Sequence, residues 1–255
     1  MTSTIKATAV NVDLFQIGQL IDSTTVSSQK IAWIGYENPR AKLHIQTPTF
    51  LTETYGIPRL GQYYQTDKSR AFYKLPFCHE RALNNTDVDY SEIEKFYNKL
   101  VEMDKLFGSE EFKVKLFGEK LAGKYEYQPI VRHPGNNQHD DDEEEVVSTS
   151  YHPPYTKVKL ILSDSNVPTF RIIDKPKEGK KTEVELNSFD DVTQHMRYMT
   201  EHRMIIQVQK IYAMKTASGG DKRKYGVTLK LVAAECTNKE STTSRDKFNV
   251  DFFDN

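Results

Sequence analysis

The chain has 255 residues, of which 37% are hydrophobic and 11% aromatic, and its 35 basic and 36 acidic side chains nearly cancel. This length and composition exclude a disordered chain and allow one large core or two small ones. Two cysteines, Cys78 and Cys236, are too few for a disulfide framework. No segment reaches the roughly 18 apolar residues of a membrane span. We therefore expect a soluble intracellular protein.

The near-zero net charge hides a segregation of charge along the chain. Residues 140–145 read DDDEEE, and Asp251 and Asp254 lie close to the C-terminus. Without these eight acids, 35 basic residues face 28 acidic ones. A basic body with separate acidic segments is one arrangement of proteins that handle polyanions.

The first third of the chain has the periodicity of β structure. Residues 30–48, KIAWIGYENPRAKLHIQTP, predict a hairpin, because apolar positions flank the turn residues of GYENPR. Residues 70–77, RAFYKLPF, predict a further strand. Alternation places Phe72, Lys74 and Pro76 on one side of this strand and Tyr73, Leu75 and Phe77 on the other.

Two helices are predicted. The first covers residues 89–108, with a capping box of Ser91 and Glu94 and a stop at Gly108. It has one apolar stripe for packing on a sheet: Ile93, Phe96, Leu100, Met103 and Phe107. The second covers residues 188–199, SFDDVTQHMRYM, with Ser188 as its cap. Its first turn is acidic (Asp190, Asp191) and its stripe is Val192, Met196 and Met199.

Two further hairpins are predicted in the second half of the chain. An acidic insertion at about 134–150 lies between two strand-like segments and forms the tip of the first. The second joins residues 203–215 to residues 225–233 through a Gly-Gly, Lys/Arg-rich loop. One face of its first strand is predicted to carry Met204, Ile206, Val208, Tyr212 and Met214. One face of its second strand is predicted to carry Tyr225, Val227, Leu229 and Leu231.

These elements predict an α+β fold that is mainly β. At least six strands and two helices, without a βαβ rhythm, favour an antiparallel sheet closed into a barrel with the helices around it. We expect one domain over residues 1–236, including the acidic insertion. A polar tail with terminal aromatics follows over residues 237–255.

The sequence gives no indication of catalysis. It has no glycine-rich phosphate loop, no nucleophile elbow and no paired zinc-binding cysteines. His133 and His139 lie near the acidic run and would bind a metal only opportunistically. We therefore predict a protein that is not an enzyme and that has neither a metal nor a cofactor.

Basic and aromatic residues alternate in the strand segments, a mixture that single-stranded nucleic acid requires. Cations follow the phosphates, and rings stack on bases that expose their faces. Tyrosine and phenylalanine also fill cores, and Trp33 fits a core position equally well. The candidate binding residues are Lys30, Trp33, Tyr36, Arg40, Lys42, Arg59, Tyr64, Arg70, Tyr73, Lys74, Lys210, Tyr212, Lys215, Arg223 and Tyr225. The hypothesis requires that the sheet gather them on one surface.

The segment LHIQTPTFLTETYGIPR and the closing hairpin resemble a family of large nucleocytoplasmic DNA viruses. Gln46, Thr47 and Pro48 form its Q-T-P block, and Gly56 belongs to the aromatic-Gly-aliphatic step that follows. Members of that family are considered relatives of the OB-fold single-stranded-DNA-binding proteins of podophages. The resemblance spans most of residues 30–235 and implies an OB-like barrel that binds single-stranded DNA.

The resemblance also implies a role for the C-terminal sequence VDFFDN. Proteins of this type commonly end in an acidic tail with terminal aromatics, which occupies the DNA groove and then binds replication proteins. Asp251, Phe252, Phe253 and Asp254 match that pattern. Alternatively, KFNVDFF is an edge strand whose Phe248, Val250 and Phe252 pack on the core. The internal acidic run could instead compete for the groove, or merely keep the protein in solution.

Two hypotheses of different classes follow. The first is a single-stranded-DNA-binding protein in viral DNA replication, recombination or repair, with low sequence specificity. Its partners would be single-stranded DNA or RNA, a replication protein such as a DNA polymerase, and a second copy in a homodimer. It would act in the host cytoplasm (the viral factory) or the nucleus, without a membrane. The alternative is a viral structural or scaffolding β-barrel protein that does not bind nucleic acid.

Deletion of residues 248–255 distinguishes the two interpretations of the tail. If the tail mimics DNA, the deletion removes a competitor and tightens binding of labelled oligo-dT in a titration. Unchanged affinity together with a lower melting temperature would indicate the edge strand instead.

Overall fold

The computed structural model describes residues 2–52, 56–77, 88–134, 153–176, 179–197, 200–217 and 220–237. The first strands are β1 (Thr2–Lys6), β2 (Phe15–Ile17), β3 (Ile21–Asp22), β4 (Gln29–Tyr36), β5 (Lys42–Leu51), β6 (Phe72–Pro76) and β7 (Tyr125–Gln128). The later strands are β8 (Val131–Arg132), β9 (Tyr155–Lys159), β10 (Arg171–Asp174), β11 (Thr182–Val184), β12 (Glu201–Met214) and β13 (Arg223–Thr237). The helices are α1 (Tyr90–Gly108), α2 (Glu110–Phe117), α3 (Glu119–Ala122) and α4 (Phe189–His195). The described residues are mainly β with few helices, as predicted.

The two longest strands, β12 and β13, form the centre of the sheet. They pair antiparallel along almost their whole length, which confirms the predicted final hairpin. The other edge of β12 holds β5 and then β4. The other edge of β13 holds β7, β9 and β10 in succession. Every shorter strand that borders this ribbon therefore depends on it for its register.

The sheet is mixed rather than antiparallel, which corrects the predicted strand arrangement. β13 is parallel to β7, β9 and β10, and β1 is parallel to β5. The pairings follow an open path from β1 to β11 with branches and do not close into a barrel among the described residues. An alternating apolar pattern is the same for parallel and antiparallel neighbours, so the sequence did not reveal the difference.

β4 and β5 do not form the predicted hairpin. Both are antiparallel to β12, with β4 opposite residues 210–214 and β5 opposite residues 201–208, so they follow each other along one edge. A tight loop over residues 37–41 separates them. The Tyr36 N–H donates to the Ala41 carbonyl (3.0 Å), and the Asn38 side chain accepts from the Ala41 N–H (2.9 Å). The turn residues thus form a short loop that does not reverse the direction of the chain.

Both predicted helices are present, but the cap of the first differs and the second, α4, ends at His195 rather than at residue 199. All five residues of the α1 stripe are buried. The cap of α1 is Asp89, whose carboxylate accepts from the Ser91 N–H at 2.9 Å, so the predicted Ser91–Glu94 capping box is wrong. Ser188 caps α4 and completes a capping box with Asp191. Met199 of the predicted stripe lies outside the described residues.

The strands that flank the acidic insertion form the predicted hairpin. β8 and β9 pair antiparallel through Val131–Thr156 and Arg132–Tyr155. The insertion itself, like the C-terminal tail, lies outside the described residues. β6 also has the predicted alternation, because Tyr73, Leu75 and Phe77 are fully buried.

One face of the sheet, the inner face, packs against the helices to form the core. α1 lies against β5, β7 and β8, and its stripe joins sheet residues such as Leu43, Ile45 and Leu229 in one cluster. Tyr225, Leu229 and Leu231 are buried there and Val227 packs against them, so the four residues share one face, as predicted for β13.

A register shift in β12 exchanges the two faces partway along the strand. Met204, Ile206 and Val208 lie in the core, as predicted. The register with β13 shifts between Val208 and Lys210, and beyond the shift Ile211 and Ala213 are the core residues. Lys210, Tyr212 and Met214 therefore lie on the opposite face, which corrects the prediction that Tyr212 and Met214 share a face with Met204, Ile206 and Val208. Such bulges are a known means of re-aiming side chains.

The packing of α1 predicts an asymmetry between two leucines. Leu100 is completely buried in the core, whereas Leu121 of α3 is 40% exposed. Leu100→Ala should lower the free energy of unfolding by about 2–5 kcal/mol, because it leaves a cavity. Leu121→Ala is the matched control and should change it by less than about 0.5 kcal/mol. Urea unfolding followed by circular dichroism measures both, and equal effects would contradict the assigned core.

Candidate nucleic-acid interface

The face of the sheet opposite the helices, called here the outer face, carries a row of polar and aromatic side chains. His44, Gln207, Lys230, Lys159 and Phe72 are paired neighbours on five consecutive strands. Directly paired residues share a face of the sheet, and neighbouring strands lie about 4.8 Å apart. The row therefore crosses about 20 Å of the outer face.

A second, shorter row lies beside the first. Trp33, Lys210 and Thr228 are paired neighbours on β4, β12 and β13. The Lys210 Nζ lies 5.6 Å from the centroid of the Trp33 ring, and Trp33 is 49% exposed. The register shift in β12 is what brings Lys210 to the outer face. The result is an exposed indole ring next to a cation.

At the β6–β9 end of the outer face two further lysines lie over rings, although one of these rings, that of Tyr155, is buried. The Lys157 Nζ lies 5.1 Å from the centroid of the Phe72 ring, and the Lys74 Nζ lies 5.0 Å from that of Tyr155. The ring of Tyr64 packs edge-on against Phe72, with 5.6 Å between the centroids. Cations above rings of this kind are held by the ring quadrupole.

Four lysines of the outer face, Lys42, Lys159, Lys210 and Lys230, act electrostatically on one another. Burial lowers the pKa of Lys210 and Lys230, and the charges of Lys159 and Lys42 respectively lower it further. Burial, followed by the charges of Lys42 and Lys230, lowers the pKa of His44. Within the described part of the chain, Lys42, Lys159, Lys210 and Lys230 form no ion pair. Mutually repelling cations make this face attractive to an anion.

The positive charge continues toward the β10 end of the outer face. There the Glu235 carboxylate is contacted by Arg203 (3.0 Å), Lys175 (3.9 Å) and Lys181 (2.5 Å). One carboxylate faces three cations, so this end also has an excess of positive charge.

The structure brings seven of the predicted binding residues to the outer face or its rim: Trp33, Arg40, Lys42, Tyr64, Lys74, Lys210 and Tyr212. Arg40 lies in the exposed loop between β4 and β5. Tyr212 is paired with Gly226, where an added Cβ would come within 2.9 Å of the tyrosine Oη. The glycine thus leaves the space that the Tyr212 ring needs. The role of these residues in binding stays a prediction.

Three predicted tyrosines are buried core residues, which corrects their assignment as stacking platforms: Tyr36, Tyr73 and Tyr225. The Tyr36 hydroxyl accepts from the Asn11 N–H (2.9 Å), and the Tyr225 hydroxyl donates to the Phe107 carbonyl (2.7 Å). The Tyr73 hydroxyl lies 2.6 Å from that of Thr52. Buried tyrosines need such partners, and a fully enclosed ring cannot stack on a base.

Arg70 is also a structural residue rather than a binding residue. Its guanidinium is buried, pairs with Asp67 (2.8 Å) and Asp190 (3.2 Å) and lies over the Phe189 ring at 4.9 Å. It thus joins the loop before β6 to α4, and its charge is already compensated.

The other predicted cations lie apart from the two rows. Lys215 pairs with Asp22 at 2.8 Å, and the charge of Lys30 acts on the same carboxylate. Arg223 lies over the Tyr125 ring at 5.8 Å, and Arg59 is exposed in the loop before β6. Asp251, Phe252, Phe253 and Asp254 of the tail lie outside the described residues.

Sequence reasoning missed several residues of the outer face, among them His44, Phe72, Lys157, Lys159, Gln207 and Lys230. The alternation of KVKLIL contained the signal, because Val158 and Leu160 are buried while Lys157 and Lys159 face outward. Lys230 alternates in the same way with Leu229 and Leu231.

The residues that carry the family resemblance have structural roles. Pro48 has no N–H, and the β5–β12 register shifts near it. The Thr47 hydroxyl accepts from the Met204 N–H at 2.9 Å and donates to the Pro48 carbonyl at 2.8 Å. Gly56 has a φ of 88° and exchanges backbone hydrogen bonds with Lys74. The Q-T-P block thus holds the register of the sheet.

Comparison with known proteins gives one match to report. The chain is 28% identical over 242 residues to uncharacterized protein R505 of Acanthamoeba polyphaga mimivirus. The match covers 85% of this chain but 57% of the relative, so the chain spans little more than half the length of the relative. No family model matches the chain.

The described residues contain no group of three or more His, Cys, Asp or Glu side chains that could hold a metal ion. None of their helices is long and apolar enough to cross a membrane.

The cation cluster predicts a perturbed histidine. The charges of Lys42 and Lys230 disfavour the imidazolium form of His44. Lys230→Met should therefore raise the pKa of His44 toward its ordinary value of about 6.5. An NMR pH titration, with the His44 signal assigned through His44→Gln, measures the shift. Lys95→Met on α1 should leave the pKa of His44 unchanged, and no shift in either variant would mean that burial alone sets it.

Proposed function

We propose that the protein binds single-stranded DNA across the outer face of the sheet, with low sequence specificity. The observation that supports this best is the row from His44 to Phe72, in which side chains from five strands are in register on one face. The function would serve viral DNA replication, recombination or repair.

The chemistry of the outer face suits an unpaired strand better than a duplex. Lys159, Lys210 and Lys230 would follow the phosphates, while Trp33 and Phe72 offer rings on which bases stack. Stacking and backbone contacts tolerate any sequence, because every base has a π-face. A row of about 20 Å corresponds to roughly six nucleotides at a rise of 3.4 Å, within the usual range of site sizes.

The relationship to OB-fold proteins stays part of the proposal. Binding as proposed depends on the open outer face and not on a closed barrel. Three further parts of the proposal come from the sequence alone: RNA as a second ligand, a replication protein bound by the C-terminal tail, and a homodimer.

The primary test is a titration of labelled oligo-dT and a matched duplex at several salt concentrations. We expect a preference for the single strand and an affinity that falls steeply with salt, because counterions are released. Trp33 is the single tryptophan of the chain, so stacking on it should quench the intrinsic fluorescence. Micromolar or weaker binding without preference over duplex would refute the proposal. Together with stoichiometric amounts in purified particles, that result would favour the structural alternative.

Variants of the outer face should weaken binding in two distinguishable ways. Lys159→Ala with Lys210→Ala should lower the slope of log K against log salt by about 0.7 per lost phosphate contact. Trp33→Ala should cost about 1–3 kcal/mol of binding free energy, whereas Trp33→Phe retains a ring and should lose less.

The matched control places the same charge change on the helices. Lys105→Ala with Lys120→Ala alters exposed lysines of α1 and α3. This control pair should leave both affinity and salt slope near those of the unaltered chain. If both double variants weaken binding equally, net charge rather than the outer face is responsible.

A further inference from the structure

The outer face contains a pocket of about 470 Å³ at an interruption of the strand ladder. β9 pairs with β13 up to Lys230, and β10 pairs with it only from Ala233, so Leu231 and Val232 form the base of a notch. The residues that line the pocket are Arg40, Lys42, His44, Thr169, Gln207, Lys230, Leu231 and Val232. Its volume is within the range of small-molecule sites.

Among the described residues, most polar side chains of this pocket have no partner; the exception is the Thr169 hydroxyl, which donates to the Ile161 carbonyl at 2.9 Å. No other described residue forms an ion pair or a side-chain hydrogen bond with the side chains of Arg40, Lys42, His44 or Lys230. Gln207 is only 8% exposed, and its amide likewise has no hydrogen bond with the described part of the chain. The Gln207 amide is not among the described buried side-chain groups that lack a partner, so its atoms reach the solvent of the pocket and can bond a ligand there. The pocket therefore has a set of donors ready for a ligand.

We propose that this pocket binds the phosphomonoester or polyphosphate group of a nucleotide, either free or at the 5′ end of a DNA strand. In its strand-end form, the proposal depends on the single-strand binding proposed above. In its free-nucleotide form, it stands independently.

The charge of the pocket favours such a group over an internal phosphodiester. Arg40, Lys42 and Lys230 supply three positive charges around one cavity. A phosphodiester carries one negative charge, whereas a phosphomonoester carries about −1.5 to −2 near pH 7 and has three strong acceptor oxygens. The dianion thus relieves more of the repulsion among the cations. Gln207 adds a neutral amide donor, and the guanidinium of Arg40 can bind two oxygens at once.

The experiment compares 5′-phosphorylated oligo-dT, 5′-hydroxyl oligo-dT of the same length, and ATP without a divalent metal. We expect the full chain to bind the phosphorylated strand about tenfold more tightly than the hydroxyl strand, the effect of about one charge-assisted hydrogen bond. ATP should compete with the phosphorylated strand and shift the NMR signal of His44.

Three variants assign the effect to the pocket. Arg40→Gln, in an exposed loop, and Gln207→Leu, a change of similar size, should each reduce the preference for the 5′-phosphate. Lys159→Gln is the matched control, because Lys159 lies in the same row but outside the pocket. It should weaken both strands equally and leave their ratio unchanged.

The outcomes separate this proposal from the proposed function. Equal binding of the two strands, with no binding of ATP, overturns the pocket proposal and leaves single-strand binding in place. Binding of ATP that Arg40→Gln abolishes, without binding of either strand, supports the pocket and refutes single-strand binding. A 5′-phosphate preference that survives both pocket variants would also overturn the assignment.

Discussion

The pairing of β12 with β13 is the constraint on which the rest of the structure depends. The shorter strands along this ribbon take their register from its two edges, so the ribbon decides which side chains share a face. The register shift between Val208 and Lys210 is its decisive detail. Before the shift, Val208 faces the core, and after it Ile211 does. One extra residue in one strand therefore brings a lysine beside Trp33 while the core remains continuous.

The two faces of the sheet differ in what their side chains contact. The inner face is covered by α1 and holds nearly all the large buried side chains. Aromatic residues on this side have partners within the protein, as the hydroxyls of Tyr36, Tyr73 and Tyr225 show. On the outer face the rings lie next to cations instead, and Lys210, which lies over the Trp33 ring, forms no ion pair with another described residue. That difference identifies the outer face as the candidate site.

The sequence predicted local features better than long-range ones. α1 and the alternation of β6 and β13 follow from the spacing of apolar residues, which local geometry determines. β4 and β5 were assigned to a hairpin because Asn38 and Pro39 are turn residues, but pairing with β12 decided their course. The sequence does not distinguish Tyr73 from Trp33, because both are aromatic residues in strands. The hydroxyl of the buried Tyr73 lies 2.6 Å from that of Thr52, which is 21 residues away in the chain. The bulge in β12 brings Lys210 next to Trp33. Neither influence is visible in a local pattern.

The cation cluster has an electrostatic cost in the free protein that a bound anion would offset. Lys210 and Lys230 are partly desolvated, and the charges that reach them come from other lysines, so their charged forms are disfavoured in the free protein. Neutral residues of similar size at these positions would remove that repulsion. Proteins commonly tolerate such local instability at binding sites, where the ligand supplies the missing interaction. A polyanion that lies along the row would offer a negative charge to each lysine. The same groups that destabilise the empty face would then stabilise the complex.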